Sequence, residues 1–206
     1  LTFVLSLPLF ANQVYDLVIY GGTSAGISAA IQSSRSGKSV VVIEPTGRIG
    51  GLTTGGLGAT DIGSKKSVGG ISKEFYVNVK EYYANPANWK HQTPESYSQD
   101  RNAPGDDAMW TFEPSVALKI YHQMLSREKV DIVYKERLNR KSGVKMKKGS
   151  IVAIAMESGK VFRGRVFIDA TYEGDLMAAA GVSYTYGREA NSQYGETLNG
   201  VQDNMS

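Results

Sequence analysis

The stretch from Tyr15 to Glu44, YDLVIYGGTSAGISAAIQSSRSGKSVVVIE, constrains this chain more than any other part of it. It reads as strand, glycine turn, helix, strand, acid. An apolar run over 16–20 ends in Gly21-Gly22, where the chain turns tightly. The turn opens straight into a helix predicted over 26–36, with Ile27, Ala30 and Ile31 on its buried face and Gly37 as its stop. The first N–H groups of such a helix have no carbonyl one turn back. With the helix dipole they can hold a pyrophosphate. A second strand over 39–43 ends in Glu44, whose carboxylate can accept hydrogen bonds from ribose hydroxyls. The unit is a dinucleotide-binding pattern. Against G-x-G-x-x-G, Gly21 and Gly26 match, Gly22, Ser24 and Ala25 fill the variable places, and Thr23 stands where the second glycine belongs. A glycine turn alone would serve equally as a ligand-free junction. Glu44, eighteen residues after Gly26, is what turns the pattern into a site.

Composition excludes several other chemistries. The formal charge of +3 is too small to point to nucleic acid or an acidic membrane. There is no cysteine, so disulfides, thiolate catalysis and redox dithiols are out. The two histidines, His91 and His122, lack metal-ligand spacing, and no metal site is expected. Glycine concentrates in the early loops, with seven in 47–63, a segment too glycine-rich for a stable helix or strand.

The first residues, LTFVLSLPLFANQ, form an apolar run of signal-peptide length, too short to span a bilayer. Residues 1–13 are therefore expected to be a signal remnant of a periplasmic or secreted protein, and 14–206 an incomplete domain. An extra strand or apolar arm is the alternative. A helix is predicted over 72–83 and another from Pro114, with Val116, Ile120 and Met124 facing inward. Between them, 85–107 is a polar excursion, a lid or part of another domain. A strand over 130–134 follows. Short strands at 143–146, 151–156 and 161–168 then read as a β-meander, and an alanine-rich helix over 174–180 comes next.

Outside the first unit, each candidate has two readings. Arg48, followed by Gly50-Gly51, can meet phosphate or lie in a flexible loop. Asp169 can hold a loop or bind a cofactor hydroxyl. Glu173 and Asp175 read first as helix-start acids, and Glu113 as a helix-start acid or a site residue. Trp89, Trp110 and the tyrosines of the middle segment line a pocket or pack the core.

GGTSAG, Glu44, RIGG, the meander and FIDAT, taken in this order, resemble a glutathione-reductase-type FAD-dependent oxidoreductase. EPTGRIGGLTTGGLGATDIG and FIDATYEGDLMAAAGVSYTYGREA resemble a bacterial family of FAD-dependent oxidoreductases in particular. The resemblance implies an α/β, Rossmann-like FAD-binding domain: a parallel sheet, helices on its faces, and a β-meander crossover. It implies FAD as cofactor, with Gly21 to Gly26 cradling the pyrophosphate and Glu44 on the adenosine ribose. Pro45, Arg48, Gly50, Gly51, Leu52 and Thr53 would follow along the phosphate and flavin side. Val133 would pass the adenine, and Ala170 and Thr171 would close the second edge. Tyr172 departs from the pattern, since many relatives carry glycine there. The segment 53–61 is expected near the isoalloxazine ring. The implied activity is transfer of a hydride or electron pair from a small organic substrate to FAD, with no catalytic residue assigned. An NAD-dependent dehydrogenase and a non-catalytic nucleotide-binding module are the competing readings. No integral membrane span is expected, and oligomeric state is not legible.

Overall fold

Strand β2 (Val40–Glu44) is buried at every position, so it must be covered on both faces. In the computed structural model, which describes residues 13–97, 102 and 105–196, two layers do the covering. β2 lies between β1 (Val14–Tyr20) and β3 (Asp131–Tyr134), parallel to both. The remaining strands are β4 (Val144–Lys147), β5 (Ser150–Ala155) and β6 (Val161–Asp169), and the sheet order is β3-β2-β1-β6-β5-β4. The meander is thus present, within a residue or two of the predicted limits.

One face carries α1 (Ser24–Arg35), α3 (Gly70–Tyr83) and α4 (Pro114–Arg127). Leu17, Ile19, Val40 and Val42 of the sheet meet Ile27, Ile31, Phe75, Val79, Ile120 and Met124 there. Phe75, Val79 and Tyr83 recur every four residues, which is why α3 buries a single stripe. The other face holds Val18, Tyr20, Val41 and Ile43. Leu138, Ile154, Met156 and Phe162 of the meander region cover it, with Leu176 from α5 (Asp175–Ala179).

β6 belongs to both parts of the sheet. Its first residues pair antiparallel with β5 (Ala155↔Val161 to Ala153↔Arg163), and from Arg163 to Asp169 it pairs in parallel with β1. Gly164 sits just past the change of partner, where a Cβ would stand 2.6 Å from Val18 Cγ2.

The structure differs from the sequence reading in one loop. The segment 47–63 contains a one-turn helix, α2 (Gly51–Gly55). Its glycines are used at the entrance and exit, with Gly50 at φ +94° and Gly56 at φ +140°, so they admit the turn rather than melt it. The excursion 85–107 is built against the domain as far as it is described. Asn85 caps a 3₁₀ turn (Pro86–Asn88), and the Trp89 indole donates to the Tyr83 carbonyl at 2.8 Å. The expected signal segment lies outside the described residues except for Gln13, as does the tail from 197 onward. Among the described residues no helix is long and apolar enough to cross a membrane.

Candidate dinucleotide site

Because β1, β2, β3 and β6 are parallel, their carboxyl ends meet at one edge of the sheet, where open α/β sheets bind ligands. β1 delivers Gly21 to that edge, and its ladder continues one residue further: Gly21 N–H donates to the Ile43 carbonyl at 2.9 Å. Gly21 has φ +103°, and a Cβ there would stand 2.8 Å from the Ala170 carbonyl carbon. Gly22 is confined from the opposite side, where a Cβ would lie 3.0 Å from a Glu44 carboxylate oxygen. The turn is therefore clamped between the end of β2 and the end of β6.

Thr23 is the N-cap of α1. Its hydroxyl accepts the Gly26 N–H at 3.4 Å and donates to the Ala170 carbonyl at 2.7 Å. The replacement of the second glycine thus ties β6 to α1, and the hydroxyl is spent on the protein itself. With Gly26 capped, Ser24 and Ala25 carry the first-turn N–H groups that have no carbonyl one turn back. Ala25 is exposed at this open end.

Glu44 is buried, with 6% of its surface exposed. One carboxylate oxygen accepts Gly22 N–H at 2.8 Å, the other Thr46 N–H at 2.7 Å. Each oxygen has a second acceptor position, so the group can still take ribose hydroxyls. Pro45 follows at the rim. Tyr134 is paired in register with Glu44, and Lys135 N–H donates to the Thr46 carbonyl. Burial, followed by the Glu44 charge, pushes the Tyr134 phenol above its ordinary value. Val133 points into the core beside Val41 and Ile43, so the residues at the rim of this corner are Tyr134 and Lys135.

The RIGG segment is placed beside the turn by a bond from Gly50 N–H to the Gly22 carbonyl at 2.6 Å. Arg48 holds protein atoms: its guanidinium donates to the Thr54 carbonyl at 2.6 Å and to the Pro114 carbonyl at 3.3 Å, anchoring α2 to the start of α4. Thr54, fully buried, donates to the Ile49 carbonyl. Gly51, Leu52 and Thr53 form the first turn of α2, with Leu52 exposed. The Thr53 hydroxyl lies 2.7 Å from the Ser24 hydroxyl, and the buried Tyr121 phenol joins them. Burial raises the Tyr121 phenol, against hydrogen bonds from Ser24 and Thr53 that lower it. These hydroxyls border a cavity of about 290 Å³ alongside the first turn of α1. A shallower hollow of about 460 Å³ runs from Leu52 and Thr53 to Asp61 and is backed by Phe112.

At the β6 end the open readings resolve. Asp169 accepts Thr171 N–H at 3.0 Å, the Thr171 hydroxyl at 2.7 Å and Met177 N–H at 2.8 Å. It shapes the turn into α5. Asp175 lies in the first turn of α5 and pairs with Arg140. Glu113 accepts the Tyr83 hydroxyl at 2.9 Å. Trp110 is core, whereas Trp89 lines a cavity of about 260 Å³ with Tyr97 and Met109. Sequence reasoning missed Tyr121 as a neighbour of the cradle. Its hydroxyl comes from a helix that reads only as core, and no local signal marks it.

The sheet, the clamped Gly21-Gly22 turn, the open end of α1 and Glu44 define a Rossmann-like dinucleotide-binding domain. The model of the FAD dependent oxidoreductase family matches residues 16–205, and the chain belongs to that family. Its dinucleotide is FAD. Over 46 residues the chain is 48% identical to a pseudooxynicotine dehydrogenase from Pseudomonas sp., a match covering 22% of this chain and 9% of the relative. Its fold is similar to that of L-proline dehydrogenase from P. horikoshii, with a TM-score of 0.55 at 14% identity over 86% of this chain. The chain spans 58% of the length of that dehydrogenase chain.

Proposed function

We propose that this chain is the FAD-binding part of an oxidoreductase that moves a hydride or an electron pair from a small organic substrate to FAD. The observation that carries the reading is the coupling of Glu44 to Gly22. A single buried carboxylate fixes the glycine turn beside the open end of α1 and keeps acceptor positions for a ribose. The glycines fit the group, because a side chain at Gly21 would strike the Ala170–Thr171 backbone and one at Gly22 would push the Glu44 carboxylate aside. When bound, FAD supplies the acceptor for the hydride or electron pair. The chain's own residues bind and orient. Ser24 and Ala25 offer N–H groups to the pyrophosphate, and Glu44 takes the ribose hydroxyls. Leu52, Thr53 and the segment to Asp61 shape the hollow on the flavin side. Ala170 and Thr171 close the second edge against Gly21.

The meander favours FAD over NAD, since flavoproteins of the glutathione-reductase type cross from their third to their fourth parallel strand in that way. The test is the visible absorbance of the purified protein and the mass of whatever it releases on denaturation. Flavin bands with the mass of FAD are expected. A protein without flavin bands that still takes up no FAD after reconstitution would overturn the reading.

A further inference from the structure

Tyr172 is exposed over 60% of its surface, yet it does not hang free. Its hydroxyl accepts the Leu52 N–H at 2.7 Å, joining the turn after β6 to the first turn of α2 across 120 residues of sequence. Gly51 makes room for it: a Cβ at Gly51 would collide with the Tyr172 hydroxyl.

The two joined segments are the two walls of the cradle. On one side Gly22 lies against Glu44 and Ile49, and Gly50 bonds to Gly22. On the other side Gly21 lies against Ala170 and Thr171. The Tyr172–Leu52 bond runs from the second wall to the first. Leu52 precedes Thr53, whose hydroxyl lies 2.7 Å from the Ser24 hydroxyl at the start of α1, so the bridge ends one residue from the contact with the first turn of α1.

We propose that Tyr172 is a latch across the cradle: bonded to Leu52 it closes the mouth in front of α1, and it swings out for FAD to enter or leave. The inference rests on FAD being the ligand. A largely exposed side chain held by a single neutral hydrogen bond opens easily. The latch therefore governs the speed of exchange in both directions and leaves the final affinity nearly unchanged.

The experiment measures association and dissociation of FAD by its fluorescence, in stopped flow, on the deflavinated protein. Wild type, Tyr172→Phe and Tyr172→Ala are compared. Tyr172→Phe keeps the ring and loses the bond. It is expected to speed both rates about fivefold, the equivalent of one hydrogen bond, with Kd changed less than about twofold. Unchanged rates in both Tyr172 variants would show an incidental contact and overturn the latch. A faster dissociation alone would also overturn it, making Tyr172 a direct contact of the bound cofactor. Failure of the wild type to bind FAD at all would overturn the reading of function and the latch together, and is recognised by the absence of any wild-type signal.

Discussion

Thr23 shows what one side chain does in the place of a consensus glycine. Its hydroxyl satisfies a helix N–H and the Ala170 carbonyl just past β6 at once, both in buried surroundings. Thr23→Val keeps the shape and removes both bonds. It should lower stability by about 1–2 kcal/mol, read as a shift in the denaturant midpoint, and Thr23→Ser should restore most of it. The place of Glu44 at the end of β2 was legible in the sequence, because an apolar run leads up to it. The roles of Arg48 and Asp169 were not. Each has a charge suited to a cofactor, but the partners that claim it, Thr54 and Pro114 for Arg48, Thr171 and Met177 for Asp169, are chosen by the folded backbone. Tyr172 was marked only as a departure from relatives. Its bond to Leu52 depends on a loop more than a hundred residues away.

Among the elements, the long helices and the parallel strands could be read from periodicity and apolar runs to within about two residues. The one-turn helix α2 could not, because its sequence, GLTTG, is nearly devoid of helix-forming residues. Tertiary bonds hold it: Thr54 donates to Ile49, and Arg48 grips the Thr54 carbonyl. The meander is tied to the rim of the site by Glu136. That residue lies just beyond β3, with its N–H on the Glu44 carbonyl at 3.2 Å. Its buried carboxylate pairs with Lys160 at 2.6 Å and accepts the Ser158 hydroxyl at 2.5 Å. Burial alone would raise its pKa, but the Lys160 and Ser158 bonds outweigh burial and hold it below the ordinary value of 4.5. A carboxylate whose pKa is lowered by folding contributes stability above its unfolded pKa and loses it as pH falls through the folded value. Glu136→Gln should therefore melt lower than wild type at pH 7, by about 1 kcal/mol of stability. The gap should narrow progressively below about pH 4.5, as thermal melts across pH 3–7 would show.

Taken whole, the domain holds its ligand site between segments far apart in sequence, so ligand and fold should stabilise each other. FAD at a hundred times its Kd should raise stability by about 2.7 kcal/mol, and NAD at the same concentration should leave the melting temperature where it was. Gly21→Leu should abolish the FAD-dependent shift. Its left-handed backbone and the nearby Ala170 carbonyl also cost the unliganded protein about 2 kcal/mol or more. An equal shift with NAD would argue for the dehydrogenase reading instead.

The central pairing of β1 with β6 joins residues 14–20 to residues 163–169, and it carries a consequence for biosynthesis. As the polypeptide leaves the ribosome, the Gly21 turn emerges early. Its second wall, Ala170 and Thr171, does not exist until some 150 residues later. Through that interval β1 can find β2 but presents an unpaired edge on its other side, a surface open to mispairing. The sheet can close, and the turn gain its second wall, only once β6 has been made.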